Sequence, residues 1–401
     1  MSKENKEASN KKRVKAILPY LIGAAIGFVI GFFTIYGNNP AGINPADTNG
    51  ENGGGFAWDN IILPLVYLFI SVIVAFFLHV ILHEAGHLLG GLISGYGFVS
   101  FTIANIMFIK EDNGTGKEKL RIKRFAIAGV GGQCLMSPPP QKNGSFPFMF
   151  YNNAGGLTNL IASFITVGLY FALKDSLTTP IVIFLPFVGI GVLLGITNLL
   201  PLKLGGISTD GYNIKLLKKC TLTRDAFWLL LSINAKLSLG GRSKDFPAEW
   251  FMFADDYDFN NAILGNVAVF GLNRLLDCHD FTAAKLLAKR ILEQGSNLIM
   301  LLRNETLCEL LFLELISEHG EQRTEEITRL YTPELKQYIA ASKTQLSKHR
   351  LIYAYEKLFS EDSEKAAKAF ASFEKVCRRY PYSGDRECER ELVKVVDALA
   401  Q

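Results

Sequence analysis

Long uninterrupted runs of apolar residues fill the first half of the chain, whereas apolar and polar positions alternate through the second half. Four apolar runs approach or exceed the roughly 20 residues that a helix needs to cross a bilayer: 16–36, 61–95, 157–173 and 180–200. Beyond residue 211, apolar positions recur at helical spacing. This pattern predicts a mainly α fold: a polytopic membrane protein with about four transmembrane helices, followed by a soluble helical domain.

The charges between the apolar runs indicate the orientation of the chain. Residues 1–15 carry six Lys/Arg and two Glu, and segments 110–124 and 203–219 are also rich in lysine and arginine. The loop 37–60 contains acidic residues and no lysine or arginine. Because positively charged loops stay on the cytosolic side, we expect a multi-pass protein of the cell membrane. Both termini would be cytosolic, with 1–15 as a basic tail.

The stretch between the second and third apolar runs has a different composition. Residues 98–109 and 120–129 are rich in β-branched and aromatic residues, and they flank the turn sequence Asn113-Gly114-Thr115-Gly116. Such runs around a glycine-containing turn are typical of a β-hairpin. We therefore expect a small β-hairpin at 98–129. The pair Gln133-Cys134 that follows is either a substrate-contact element or a packed turn, and we favour packing.

The last part of the chain, 212–401, has the pattern of a cytosolic α-helical domain. The segments that begin at Asp280 and Asp362 resemble each other, and each is followed by a run of helical length. This favours stacked helical hairpins of a tetratricopeptide-like kind, with an irregular period. Such a domain would bind a protein partner or control access to a site from the cytosol; a packing domain without a recognition role is the alternative. A net charge of +4 gives no basis for nucleic-acid binding.

A charged pentad interrupts the second apolar run. His83-Glu84-Ala85-Gly86-His87 places two histidines one helical turn apart on one face, where both imidazoles can bind one Zn²⁺. The glutamate beside the first histidine can take a proton from the attacking water. Because ionisable residues are costly inside a membrane and are usually functional there, the pentad predicts a metal site.

A catalytic zinc site needs a third protein ligand. The fourth apolar run ends in Asn198-Leu-Leu-Pro201 and is followed by Asp210-Gly211. The second and fourth runs cross the membrane in the same direction, so that their inner ends lie at the same depth. Proline ends a helix, and the unwound chain could turn Asp210 toward the histidines. A capping aspartate is the competing interpretation, and the pentad favours the ligand.

Taken together, these motifs resemble those of the site-2 protease family of intramembrane zinc metalloproteases. The family carries HExxH in one transmembrane helix and N-x-x-P followed by D-G in a later one, and residues 61–211 carry both in that order. The spacing from Asn198 to Asp210 is longer here than in the usual family form. The resemblance implies that His83, His87 and Asp210 are zinc ligands. It also implies that Glu84 is the general base and that Asn198 is a donor near the scissile peptide.

The resemblance also carries implications for the domain organisation and the substrate. It implies that residues 16–211 form a transmembrane metalloprotease domain with zinc as cofactor. The substrate would be a membrane-spanning or membrane-associated protein or peptide, cleaved within the lipid bilayer. The hairpin at 98–129 resembles the family's membrane-associated β segment, which implies that the substrate binds by strand addition. Asn159 echoes a family motif at the start of the third run and is expected to contact the substrate.

His79 lies one turn before His83 and shares the face of the two histidines. It could bind substrate, or replace a ligand if Asp210 does not coordinate. We favour a third interpretation, in which His79 is a polar residue bonded to a neighbouring helix.

Two other functions are compatible with the same residues. One is a membrane-anchored zinc peptidase that acts on soluble peptides at the cytosolic face. The other is a catalytically inactive membrane scaffold that presents the helical domain to a partner. The depth of the pentad in its apolar run argues against the first. The presence of Glu84 beside both histidines argues against the second, because a scaffold has no physical reason to keep it.

Overall fold

The structure, a computed structural model, describes residues 59–112, 118–125, 131–173, 181–204, 207–318 and 320–400. Several predicted features lie wholly or partly outside the described residues. They are the basic tail 1–15, the first apolar run 16–36, most of the acidic loop 37–60, the turn at 113–116 and the end of the predicted hairpin at 126–129.

Thirteen helices and six strands occur in the part of the chain that the structure describes. In chain order they are α1 (Asp59–Ile93), β1 (Gly97–Ile103), β2 (Ile106–Asp112), β3 (Glu118–Arg124), β4 (Gly132–Ser137), α2 (Phe148–Leu173), α3 (Ile181–Leu199), β5 (Lys203–Leu204), β6 (Ile207–Ser208), α4 (Asp210–Lys219), α5 (Thr221–Ser238), α6 (Ala262–Asp277), α7 (Phe281–Gln294), α8 (Met300–Leu315), α9 (Glu321–Leu330), α10 (Pro333–Ala341), α11 (Leu346–Leu358), α12 (Ser363–Cys377) and α13 (Ser383–Leu399). The prediction of a mainly helical protein with a small antiparallel sheet is confirmed.

The second, third and fourth apolar runs form α1, α2 and α3. Among the described residues, two helical segments are long and apolar enough to cross a membrane, Val66–Ile93 and Phe148–Leu173, whereas the apolar stretch Phe184–Leu199 of α3 is shorter. Large apolar side chains on both longer helices are exposed, as at Phe69 (67%) and Phe164 (73%). Apolar surface of this extent is typical of a helix that needs an apolar environment around it.

The described residues divide into two compact units. The first, here called the apolar unit, contains 59–83 and the described residues of 156–197; the second, the larger unit, contains the described residues of 84–155 and of 198–400. Helix α1 is continuous across the boundary between His83 and Glu84. In the apolar unit, α2 and α3 approach closely at Gly195, where an added Cβ would lie 2.7 Å from Leu160 Cγ.

The sheet of the larger unit has four antiparallel strands in the order β3-β2-β1-β4. The predicted hairpin is therefore too small. Its first half is two strands, because the chain turns at Ala104 and Asn105 between the paired residues Ile103 and Ile106. Ala104 has a positive φ of 53°. Alanine rarely adopts this conformation, so the residue at position 104 did not indicate a turn. Strand β4, beyond the predicted hairpin, pairs with β1.

The end of α1 is fixed against both β4 and the start of α2. Gly95, with φ of +82°, ends the helix, and the N–H of Tyr96 donates to Gly91 O at 2.9 Å, a Schellman cap. A Cβ at Gly90 would overlap Ala154, and one at Gly91 would lie 2.9 Å from Met136 Cε. These two glycines allow the last turns of α1 to lie directly on its neighbours.

The helices after α3 are capped locally and pack on one another in chain order. Side chains of Asp280 and Asp362 accept hydrogen bonds from the N–H groups of Ala283 and Lys365, so the two similar segments both begin helices with an N-cap. Helices α5, α6, α7 and α8 each pack on the next, and α11 packs on α8, α12 and α13. Their core includes fully buried Leu311, Phe312 and Phe373, and the tetratricopeptide-like period stays a prediction.

One carboxyl group inside this helical region gives the larger unit a pH-dependent stability. Burial, with the nearby charges of Glu389 and Asp277, raises the pKa of Asp385 to about 7, although Tyr380 donates a hydrogen bond to it. In the unfolded chain an aspartate titrates near pH 3.9. Between about pH 4 and pH 7 the folded state therefore holds more protons than the unfolded state. We expect stability to fall as pH rises through that window and then to level off.

The substitution Asp385→Asn tests this expectation, because an amide of the same shape does not titrate. The variant should melt at a higher temperature than the parent at pH 8 and at a similar temperature at pH 4.5, as measured by thermal denaturation of the purified protein. A free-energy difference of a few kcal/mol at pH 8 is the upper range for a shift of this size. Equal melting curves at both pH values would contradict the assignment.

Candidate metal centre

His87, near the C-terminal end of helix α1, has one ring nitrogen in a hydrogen bond. His87 Nδ1 donates to the carbonyl oxygen of Tyr151 at 2.8 Å, so Nε2 is the unprotonated nitrogen, the one that can bind a metal. His87 Nε2 lies 3.4 Å from Asp210 Oδ2. A histidine whose second nitrogen bonds a backbone carbonyl is the usual arrangement of a metal ligand.

Asp210 reaches this position because the chain folds back after α3. The helix ends at Leu199, immediately before Leu200 and Pro201, as predicted. Strands β5 and β6 then pair as a short hairpin, with Lys203 opposite Ser208. The hairpin returns the chain to its starting point, where Thr209 N donates to Leu202 O at 3.1 Å. The longer spacing from Asn198 to Asp210 is taken up by this hairpin.

The first turn of α4 is held against the end of α3. Thr209 is the N-cap of α4, and its hydroxyl also donates to Leu200 O at 2.6 Å. A Cβ on Gly211 would overlap the carbonyl oxygen of Leu199 and lie 2.6 Å from its carbonyl carbon. Only glycine permits this approach, so the residue after Asp210 fixes where its carboxylate sits. The carboxylate also lies at a helix N-terminus, which favours negative charge.

Three potential metal ligands come together here. One ligand atom each from His83, His87 and Asp210 lies within 4.8 Å of the others. His83 is one turn before His87 on the same continuous helix. Bonds of about 2.0–2.1 Å at tetrahedral angles place two ligand atoms about 3.3 Å apart, close to the separation of His87 Nε2 and Asp210 Oδ2. Two imidazoles and a carboxylate fit a zinc site, and the group could hold a metal ion.

Glu84 lies beside these ligands and is held by a strand. Its Oε2 accepts a hydrogen bond of 2.7 Å from the backbone N–H of Cys134 in β4. The Cys134 thiol is buried, which confirms the packing that we favoured, but Gln133 and Cys134 lie in a strand and not in a turn. The contact with Glu84 is made by the backbone N–H of Cys134 and not by its side chain.

In the apolar unit, His79 and Asn159 form a buried pair. Asn159 Oδ1 lies 3.2 Å from His79 Nδ1, and the other ring nitrogen lies 2.9 Å from Phe187 O. These contacts match the interpretation of His79 as a polar residue bonded to neighbouring helices. Asn159 Nδ2 lies 3.5 Å from His83 Nδ1. Asn159 therefore orients His83, and a substrate contact for either residue stays a prediction.

Asn198 occupies the last turn of α3 and is half-buried. Its role as a donor to substrate stays a prediction. Sequence reasoning missed the two backbone groups that hold the site, Tyr151 O and Cys134 N–H. Every residue offers such groups, so no side chain could have signalled them. Gly211 belongs to the Asp-Gly pair that the sequence analysis singled out, and its close approach to Leu199 explains why glycine is needed at this position.

Comparisons of the chain with protein-family models, with curated proteins and with solved structures found no match.

Proposed function

We propose that this protein is a membrane-embedded zinc metalloprotease of the site-2 protease kind, which hydrolyses peptide bonds in membrane-spanning or membrane-associated proteins. The observation that carries the proposal is the meeting of the histidine pair of α1 with Asp210, 3.4 Å from His87 Nε2. Glu84 stands beside them with its carboxylate held by β4. Three ligands and a general base are the minimum set for a zinc peptidase.

The proposal includes a multi-pass arrangement with the helical region 212–401 in the cytosol. The basic segments 1–15 and 110–124 lie on either side of the acidic loop 37–60 along the chain, as the positive-inside rule requires. Two described helices have the length and composition to cross the membrane. In this arrangement the metal centre lies near the cytosolic end of α1.

His83, His87 and Asp210 would hold the zinc ion. When bound, zinc supplies a Lewis acid that lowers the pKa of water and polarises a carbonyl group. Glu84 accepts the proton of the attacking water and returns it to the departing amine. The Cys134 N–H keeps the carboxylate in place for both transfers, while the Tyr151 carbonyl keeps His87 in the tautomer that binds a metal.

The substrate would pair with the sheet by strand addition. In the part of the chain that the structure describes, β4 is an edge strand of the four-stranded sheet. A substrate helix must unwind before its peptide bond can be cut, and its exposed N–H and C=O groups then need partners. Because the outward N–H of Cys134 in β4 is already bonded to Glu84, we place this pairing on the other edge strand, β3, which belongs to the predicted hairpin at 98–129.

Metal analysis of the purified protein tests the proposal. We expect about one zinc per chain and loss of most of it in Asp210→Ala, because removing a ligand costs more than the roughly 10–100-fold that a supporting residue contributes. The matched variant Asp256→Ala, at an exposed aspartate, should keep zinc. If Asp210→Ala retained full zinc content, the proposed ligand set would be wrong.

A second assay separates the proposal from a cytosolic peptidase. A co-expressed substrate with one membrane span should be cleaved, and a version without the span should not be. Cleavage that persists after the span is deleted would favour action on soluble peptides. A protein with no stoichiometric zinc and no cleavage would favour the scaffold.

A further inference from the structure

A cavity of about 490 Å³ lies within the larger unit, between β4 and the helices α5, α6, α8, α11 and α13. Its volume is within the range of about 300–1,000 Å³ that ligand sites occupy. Its lining surface is about equally polar and apolar, and the catalytic proposal above uses none of its side chains. We call it the helical cavity.

Helix α6 presents two free carboxamides to the helical cavity. Asn266 and Asn273 both line the cavity, with Phe270 between them. They are seven residues apart on the helix, which is about two turns. Neither amide has a hydrogen-bond partner among the described residues. Seven residues of helix rise about 10.5 Å. An extended polyproline-II-like chain repeats the orientation of its backbone groups every three residues, about 9.3 Å, so the two amides can each bond one peptide group of such a chain.

The helical cavity also has a surplus of negative charge. Five carboxylates line it, those of Asp277, Glu305, Glu309, Asp385 and Glu389. Four of them are paired with cations, through Arg242, Lys348 and Arg350. Asp385 has no lysine or arginine partner in the part of the chain that the structure describes. A cationic side chain that entered the cavity would supply that partner.

Arg350 lies in the wall of the helical cavity and is held there by two carboxylates. Its side chain is 1% exposed and bonds Glu309 and Glu389 at 2.6 Å each. Its Nη1 is buried and has no acceptor among the described residues. A buried guanidinium N–H without an acceptor is costly. Because Nη1 has no exposed surface, a chain bound in the cavity does not reach it, and Arg350 acts in the cavity wall through its two carboxylate partners.

The strand that holds Glu84 forms part of the cavity wall. Gln133 and Leu135 of β4 line the helical cavity, while the backbone of Cys134 between them bonds Glu84. A chain bound in the cavity would thus lie on the same strand that positions the general base. This places a recognition surface next to the proposed catalytic residue within one compact unit.

We propose that the helical cavity binds an extended polypeptide segment carrying lysine or arginine, namely the cytosolic segment that flanks the membrane span of the substrate. The inference rests on the proposed function. The cytosolic flanks of membrane spans are rich in lysine and arginine, which matches a cavity with one carboxylate that lacks a cationic partner and two carboxamides free for a peptide backbone. The raised pKa of Asp385 agrees with this role, because a cation beside it would stabilise its charged form.

Binding can be measured without cleavage. Full-length protein carrying Glu84→Gln, in detergent micelles, is titrated against a fluorescein-labelled decapeptide of alternating lysine and serine, and anisotropy is recorded. We expect saturable binding that is at least tenfold weaker for the glutamate–serine peptide. The double substitution Asn266→Ala with Asn273→Ala should weaken binding of the lysine peptide at least tenfold. Asn304→Ala, on α8 outside the cavity, is the matched control and should not change it.

Asp385→Asn supplies a variant that keeps the shape of the cavity, so that misfolding does not confuse the result. It should weaken binding of the lysine peptide about tenfold, whereas Asp256→Asn, at an exposed site, should not. The inference is overturned if Asp385→Asn and the double asparagine variant both bind within twofold of the parent. It is also overturned if the two controls lose as much affinity as the cavity variants.

Two further arms identify the source of the bound segment. Deletion of residues 2–15 should leave the affinity unchanged; tighter binding after the deletion would assign the cavity to the basic tail of this chain and overturn the proposal. In the cleavage assay, Asp385→Asn should raise KM for a substrate with a lysine-rich cytosolic flank, with the effect in KM rather than in kcat. The peptide assay decides on the cavity even if the chain does not cleave, and its failure would leave the zinc and cleavage results untouched.

Discussion

Glu84→Gln is expected to abolish cleavage of a membrane-spanning substrate while leaving the zinc content of the protein unchanged. Glutamine has the size of glutamate, and its carbonyl oxygen can still accept the Cys134 N–H that now reaches Glu84 Oε2 at 2.7 Å. It cannot take a proton from water. General-base catalysis contributes about 10²–10⁴-fold, and the same residue also returns the proton to the leaving amine. A fall in kcat of about 10³-fold or more follows.

Two measurements on one preparation make this result specific. Zinc content by elemental analysis separates loss of the base from loss of the metal, and cleavage of a co-expressed substrate reports the activity. Glu321→Gln, at the exposed start of α9, is the matched control and should cleave as the parent does. If Glu84→Gln cleaved at more than a tenth of the parent rate, Glu84 would not be the general base.

Gly211→Ala is expected to remove most of the bound zinc although glycine offers no ligand atom. The added Cβ would overlap Leu199 O and lie 2.8 Å from the carbonyl carbon of Leu200. Both are backbone atoms, which cannot rotate away as a side chain can. The first turn of α4 would have to shift, and Asp210, the residue before Gly211, would move with it. Metal ligands must stay within a few tenths of an ångström of their positions.

Gly189→Ala is the matched control for this prediction. Gly189 lies on α3, and an added Cβ there meets nothing within 4 Å, so zinc content should stay at the parent level. Thermal denaturation of both variants shows whether the rest of the molecule is intact. A Gly211→Ala protein that folded and still held a full equivalent of zinc would mean that α4 does not position the third ligand.

The helices and the three potential metal ligands could be predicted because both depend on side chains. The apolar runs of α1 to α3 are set by composition and length, and the histidine pair by helical spacing. Asp210 could be expected from the shared direction of two runs. The sheet was underestimated because a turn at Ala104 depends on a backbone conformation that alanine rarely adopts. The position of the groups that hold Glu84 and His87 depends on packing, and the sequence does not record it.

The helical cavity was equally out of reach of sequence reasoning. Its asparagines lie seven residues apart within one helix, while Arg350 and Asp385 belong to helices far along the chain. Amphipathic patterning tells which residues face inward in such a helix, but it does not tell whether they meet a neighbour or an open space. The tertiary arrangement of five helices and one strand decides that.

The hairpin between α3 and α4 has a consequence for how proteins of this design are detected. Because Leu202 and Thr209 are bonded across its base, residues can be gained or lost between them without displacing the aspartate. The number of residues between the asparagine and the aspartate is then free to drift in the course of evolution. A search pattern with a fixed gap would overlook such chains, whereas one that anchors on the threonine-aspartate-glycine triplet and tolerates a variable insertion would retrieve them.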